Sequence, residues 1–459
     1  MHKTLGISIL LCISIAAFGQ GVCPTTTQSS KLICVIPQVY GPAGLTLPNT
    51  FHAAHFENDF VASFTPLNSA IGTELSLLPL ASPASGFTFT FDPSAGVMTR
   101  SAESFGPVLT ERAETIGRHR IYIAFTYQHF GFSSLDDVSL KRLPAVYTHI
   151  DVNPPSPGTP NFEREFITTS NRLDLKTNQF TGYATFGLTN RIDLSLAIPI
   201  LDVHFAVSSS AHIVRSPLNP PVLKFGGYSH FFDPACAATP NQPPTPAQLA
   251  CQAASTDKTF TNSGQAAGIG DLVLRLKGTV FNGERARAAL GIDGRLPTGD
   301  ANNFLGSGTF GVKPFIAMSY RARVSPHVNI GYQWNGKSIL GGNVQKGTEA
   351  RLPDQLFYSG GVDLGVNKRL TFALDLVGQR LMGATTLRTG PYTDIVGVPH
   401  PDIAQSTFGH SSINLDDLSV GAKVAPIGKL LVTANVLIKL NEGGLRSRAV
   451  PLVGLSYTF

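Results

Sequence analysis

The chain has 459 residues with 35 Lys and Arg against 30 Asp and Glu, and the resulting net charge of +5 is too small and too dispersed for a nucleic-acid surface. Only 14% of residues are charged and Trp occurs once, whereas Gly (45) and Phe (29) are abundant. Beyond Phe18 no run of about eighteen apolar residues offers a helical membrane span, so a membrane protein made from this chain has to be a β-barrel.

The chain opens with Met1, His2 and Lys3, an apolar run from Leu5 to Phe18, and small residues at Ala16, Ala17 and Gly19. That is the order of a secretory signal, and residues 1–19 are read as a signal peptide cleaved before Gln20, with Ala17 and Gly19 at the two small positions. A lipoprotein reading is weaker, because Cys12 follows Leu11. Export to an oxidising compartment makes the four remaining cysteines disulfide candidates, paired by proximity as Cys23 with Cys34 and Cys236 with Cys251, with the crossed pairing left open. No CxxC or Cys/His spacing points to a zinc site.

Residues 20–117 form a leader rich in Pro, Ser, Thr and Phe, with a helical hint at Asn49 to Ala62 and an extended pair near Phe87 to Phe91. It is a plug folded into a lumen, a periplasmic cap, or a partly ordered tail that packs against the barrel rim. His52 and His55, followed by Glu57 and Asp59, would share one side of a helix and could hold a metal. Nothing in the sequence supplies a clear third ligand, so neither metal nor cofactor is expected.

From Arg118 one unit repeats: ten to sixteen residues of alternating apolar side chains, then a connection. The strands fall near 118–130, 172–187, 191–208, 268–281, 285–297, 308–322, 326–338, 355–366, 369–382, 413–424, 429–441 and 446–459. Short turns (188–190, 282–284, 323–325, 367–368, 425–428) alternate with long loops (131–167, 209–267, 298–307, 339–354, 383–412), the rhythm of periplasmic turns and free outer loops. The fold expected is all-β: a transmembrane antiparallel β-barrel of about twelve strands over 118–459, with a possible extra strand hidden in 137–150. A soluble sandwich also alternates, but its strands average half this length.

The alternation assigns charges to the lumen, since a lipid-facing Arg or Lys at mid-bilayer costs roughly 2–4 kcal/mol. Leu272, Leu274 and Leu276 oppose Asp271, Arg275 and Lys277, and Ala288, Leu290 and Ile292 oppose Arg287, Asp293 and Arg295. Lys429 and Lys439 oppose an oily face from Leu430 to Leu440, while Asp193, Lys313, Asp363, Asp375 and Lys423 complete the lumen candidates. In 173–186 the parity changes: Leu173 and Leu175 fall on one face, Phe180 and Phe186 on the other, as a β-bulge would produce. The ending Leu-Ser-Tyr-Thr-Phe, with Tyr457 and Phe459, resembles the signal read by the barrel-assembly machinery. The partners implied are outer-membrane lipid, that machinery and a small-molecule solute.

Three blocks carry a family resemblance: Gly187 to Ile200, Gly268 to Lys277, and Gly294 to Asp300 followed by Leu305 to Gly308. They resemble the bacterial outer-membrane barrels of the meta-pathway phenol-degradation family, over about residues 172–459. The resemblance implies uptake of small, aromatic or otherwise apolar compounds. The cysteine-bearing loop 209–267 and the leader depart from the family pattern.

The function expected is therefore a bacterial outer-membrane channel for passive uptake of small compounds, not an enzyme. A structural or surface-interaction barrel, resting on the Pro-rich loop from Ser216 to Pro246, is the alternative. An outer-membrane hydrolase is a third reading, but His410, Ser411 and Ser412 are neighbours and no G-x-S-x-G occurs.

Overall fold

The computed structural model describes residues 22–49, 52–82, 89–92, 97–100, 104–149, 165–216, 227–394 and 397–459. The signal-peptide reading of residues 1–19 and part of the Pro-rich loop lie outside them. Twelve antiparallel strands close into a barrel. They are β1 (Ile121–Leu135), β2 (Phe166–Gly187), β3 (Ile192–Val214), β4 (Asp257–Ile269, continuing as Leu272–Asn282), β5 (Ala286–Leu296), β6 (Gly311–Tyr320), β7 (Val324–Asn335), β8 (Asp354–Asn367), β9 (Leu370–Thr393), β10 (Pro399–Val424), β11 (Leu430–Lys439) and β12 (Ala449–Thr458). Each pairs with the next, and β1 closes the ring by pairing with both β2 (Ile121 opposite Phe186) and β12 (Tyr122 opposite Thr458).

In the half of the barrel next to the short turns, outward side chains are apolar and exposed: Phe125 (66%), Leu274, Leu276, Leu290, Ile292, Ile316, Phe372 and Leu455. A water-soluble protein does not leave an apolar surface of that extent uncovered. Aromatics flank it, with Phe186, Phe281, Tyr320 and Tyr457 by the short turns and Phe310 and Trp334 at the opposite edge. A closed sheet leaves no unpaired strand edge, and an apolar band between aromatic girdles fits the hydrocarbon of a bilayer. The protein is a barrel of the bacterial outer membrane.

Away from the short turns the pattern reverses. On β2 the outward residues are Arg172, Asp174 and Lys176, and on β3 Asp202, His204 and Ser210, while Leu173, Leu175, Val203, Phe205 and Val207 turn inward and are buried. The register of β2 on β3 runs unbroken from Phe166 opposite Val214 to Gly187 opposite Asp193. The change of face within 173–186 is thus no bulge: the backbone parity is constant, and the side-chain polarity inverts where the wall leaves the lipid. The same inversion hid two strand extensions. The expected loops 209–267 and 383–412 shrink to 215–256 and 394–398, because β3, β4, β9 and β10 stay paired beyond the bilayer with polar residues facing water. The segment Leu143–Thr148 is a strand, laid against the far end of β2 and not a thirteenth crossing.

Among the described residues, the N-terminal region adds no strand to the wall. Helix α1 (Glu57–Leu75) begins later than its sequence hint, with Glu57 and Asp59 suited to the positive end of the dipole. It contains Pro66, which forfeits one helical hydrogen bond. Phe60, Phe64, Leu67, Ile71 and Leu75 line one helical stripe, and burying it against the inverted inner face of the barrel outweighs that loss. Leu32, Ile33, Val35 and Ile36 join the same core.

Candidate functional site

The site is the lumen and the chain that fills it. Residues 104–117 run through the barrel without regular structure, so their backbone groups need partners from the wall. The Phe105 amide donates to Thr371 Oγ1 (3.0 Å), the Glu111 amide to Asn329 Oδ1 (2.7 Å), the Ala113 amide to Ser319 Oγ (3.2 Å) and the Ile116 amide to Asp193 Oδ2 (3.0 Å). Asn329 Nδ2 returns a bond to the Glu111 carbonyl (2.7 Å). Lys277 Nζ donates to the carbonyls of Arg112 (3.1 Å) and Glu114 (3.0 Å), and Thr279 Oγ1 to that of Ala113 (2.7 Å). Lys423 Nζ reaches the carbonyls of Phe105 and Pro107.

Charges tie the same segment down. The Glu111 carboxylate contacts Arg275 directly and Lys277 at 3.2 Å. Arg275 also pairs with Asp293 (2.6 Å), and Lys313 joins that carboxylate at 3.1 Å. Arg321 approaches Glu114 at 3.5 Å, Ser319 Oγ donates to Glu114, and Arg287 lies opposite Ser319 across β5 and β6. His327, nearly fully buried, bridges Asp363 (3.2 Å) and Asp375 (2.6 Å). Breaking one such buried pair by removing a partner costs about 3–5 kcal/mol, because the remaining charge is left unpaired.

Asp271 organises the rim. It sits at the break in β4, accepts from the amides of Gly299 (3.1 Å) and Ser307 (2.8 Å), and lies 3.7 Å from Arg295. The sequence blocks at 268–271, 294–300 and 305–308 thereby meet. A Cβ on Gly299 would lie 2.5 Å from the Leu305 carbonyl, so only glycine fits between the two loops. This seat also receives the N-terminal region, since Lys31 pairs with Asp300 at 3.0 Å and the Leu32 amide donates to Asn303. The Cys23–Cys34 disulfide staples that region and the Cys236–Cys251 disulfide staples the long outer loop.

The remaining sequence candidates lie apart from this network. Lys439 pairs with Glu442 at 2.5 Å on the outer rim, and Lys429 is half-buried at the short turn 425–429. Tyr457 and Phe459 point outward with ring centroids 4.7 Å apart. His410 and Ser412 share one face of β10 and Ser411 the other, where its hydroxyl meets Thr386 Oγ1 at 3.5 Å. His52 and His55 lie just before α1, not on it, and the fold brings His149 and His230 to them. Burial pushes the His230 imidazole down to about 3, Glu57 up to about 7 and Glu74 up to about 8.

Between the turn after α1 (residues 75–82), residues 109–111 and the wall lies a cavity of about 230 Å³. Leu77, Leu80, Phe315 and Phe357 give it apolar faces, and Arg275 and Lys313 sit over the rings of Phe315 (4.9 Å) and Phe357 (4.4 Å). Arg295 and Tyr358 complete a polar side.

Glu111, Glu114, Asn329 and His327 escaped the sequence reading. The run Glu111-Arg-Ala-Glu114 is the densest group of charges in a sparsely charged leader, and two acids facing a basic lumen were the available signal.

No family profile and no curated protein sequence matches the chain. Similar solved structures include an outer-membrane channel of Pseudomonas putida F1 (13% identity, TM-score 0.41, 76% of this chain and 99% of that one). A FadL homologue of Pseudomonas aeruginosa is similar at 12% identity and TM-score 0.31, over 82% of this chain and 96% of that one. The toluene transporter TbuX of Ralstonia pickettii is similar at 10% identity and TM-score 0.28, over 79% of this chain and 96% of that one.

Proposed function

We propose that the protein is an outer-membrane channel for passive uptake of small compounds with an aromatic or hydrophobic body, and that residues 20–117 plug its lumen. The observation that carries this reading is the cavity of about 230 Å³ between plug and wall, which offers ring faces on one side and buried charge on the other. Residues 104–117 act as the gate. They hold to the wall through side-chain bonds and the ion pairs of Glu111 and Glu114, with no sheet pairing, so the segment shifts without unzipping the barrel. The resemblance to the phenol-degradation family supports the same solute class. The exposed ring pair Tyr457 and Phe459 suits reading by the assembly machinery.

Reconstitution of residues 20–459 into liposomes tests the proposal, with flux scored for benzoate and for a sugar of similar size. Benzoate is expected to enter several-fold faster. A barrel with normal heat-modifiable mobility that passes neither solute would contradict the channel and favour a surface role.

A further inference from the structure

The sequence paired His52 with His55 and found no further ligand; the fold supplies two more. His149 follows the strand Leu143–Thr148 laid on β2, and His230 belongs to the outer loop 215–256. Nitrogens of all four imidazoles lie within 4.8 Å of one another. His52 Nδ1 is 3.2 Å from His55 Nδ1, which is 2.6 Å from His149 Nε2, and the rings of His149 and His230 are 5.0 Å apart. His149 and His230 are both fully buried, and the Phe56 ring covers them at 5.4 and 5.0 Å.

The surroundings hold this arrangement in place. The amide of Thr148, the residue before His149, donates to Asp59 (2.7 Å), and Asn49 Nδ2 donates to the carbonyl of Ser229, the residue before His230 (3.1 Å). His230 Nδ1 lies 2.5 Å from Glu165 Oε2. A carboxylate there fixes the proton on Nδ1 and leaves the Nε2 lone pair facing the other rings, the partnership that orients metal-bound histidines. That Nε2 is buried and has no hydrogen-bond partner. A chain of hydrogen bonds among the imidazoles does not account for it, whereas a cation at the centre does.

We propose that His52, His55, His149 and His230 form a four-imidazole site for a divalent transition metal, zinc fitting best. Two nitrogens on a tetrahedral zinc with bonds of about 2.0–2.1 Å stand roughly 3.3–3.4 Å apart, close to the His52–His55 separation. Imidazole donors exclude calcium and magnesium as the preferred occupants. The ligands come from the plug, from the strand added to β2 and from the outer loop, so the metal clips the plug to the extracellular side of the wall. The site stands whether or not the barrel conducts solutes.

The test is zinc titration of the full mature protein in detergent after chelation, with cobalt(II) as a spectroscopic stand-in. The expected result is one zinc per barrel, visible bands of tetrahedral cobalt(II), and a raised temperature for plug release. Both binding and bands are lost in the His149→Gln/His230→Gln double variant, while His204→Gln and His212→Gln, exposed on the outer wall, keep them. Glu165→Gln, which retains shape but removes the carboxylate charge behind the His230 Nδ1, weakens binding about tenfold. Heat-modifiable mobility separates loss of the site from loss of the barrel. No stoichiometric zinc on the unaltered protein, or equal zinc on the folded double variant, overturns the proposal.

Discussion

The two halves of this barrel solve opposite solvation problems with one backbone pattern. In the lipid-embedded half, apolar side chains face out and the lumen is filled with Glu111, Arg275, Lys277 and Asp293. In the protruding half, Asp174, Lys176 and Asp202 face out while Leu175, Val203 and Phe205 face in, against α1 and the disulfide-stapled N-terminal region. The plug is therefore held by ion pairs in one half and by hydrophobic burial in the other. Strand parity tells which residues share a face, but the medium on each side decides which face is oily.

The sharpest way to break the comparison is Glu111→Gln, which leaves Arg275 and Lys277 buried without their shared carboxylate. It should cost about 3–5 kcal/mol of local stability. Hydrogen exchange should show the amides of Glu111, Ala113 and Ile116 exchanging at least 100-fold faster, with α1 nearly unchanged. Uniform acceleration across the plug would mean that the two halves are one cooperative unit. Next in size is a charge on the outer surface. Ile292→Lys in the lipid band should destabilise the barrel by about 2–4 kcal/mol in bilayers, whereas Asp174→Lys above it should change little. Equal effects would erase the boundary drawn between the halves.

Much of the barrel could be read from the sequence because, within lipid, outward positions must be apolar and inward ones need not be. Leu274, Leu276, Leu290 and Ile292 therefore stood out against Arg275, Lys277 and Asp293. The protruding half could not be read the same way. Its strands carry Ser208, Ser210 and Thr407 on water-facing positions and look like loops, and Leu173 and Leu175 mimic a register break when they in fact pack on the plug. The plug itself depends on partners far away in sequence: Glu111 meets Arg275 at a separation of 164 residues and His55 meets His149 at 94. Spacing rules see only local neighbours, so the charges of the ionic cluster showed in the sequence but their pairing did not, and the third and fourth histidines had no signature at all.

Acidity distinguishes the halves more gently. Glu74, in the last turn of α1, accepts from the Leu445 amide, and burial raises its pKa from 4.5 to about 8. A raised carboxyl binds its proton more tightly in the docked state, so its contribution is full below pH 4.5 and is lost as pH climbs through about 8. Between pH 6 and pH 8 the outer half should loosen by about 2 kcal/mol, and Glu74→Gln should flatten that dependence in thermal melts of the plug. A variant that keeps the wild-type pH profile would place the titration elsewhere. The smallest effect is expected of Lys439→Ala. Its pair with Glu442 is partly exposed at the rim, and its loss should shift stability by less than about 1 kcal/mol.

The most direct test of the plugged channel is benzoate flux through liposomes holding either the unaltered protein or Glu111→Gln, both checked for heat-modifiable barrels. Flux that rises at least tenfold in the variant is the predicted result, because the segment 104–117 then swings clear of the cavity. Identical flux in the two proteins, with hydrogen exchange showing that segment released, would contradict its role as the gate.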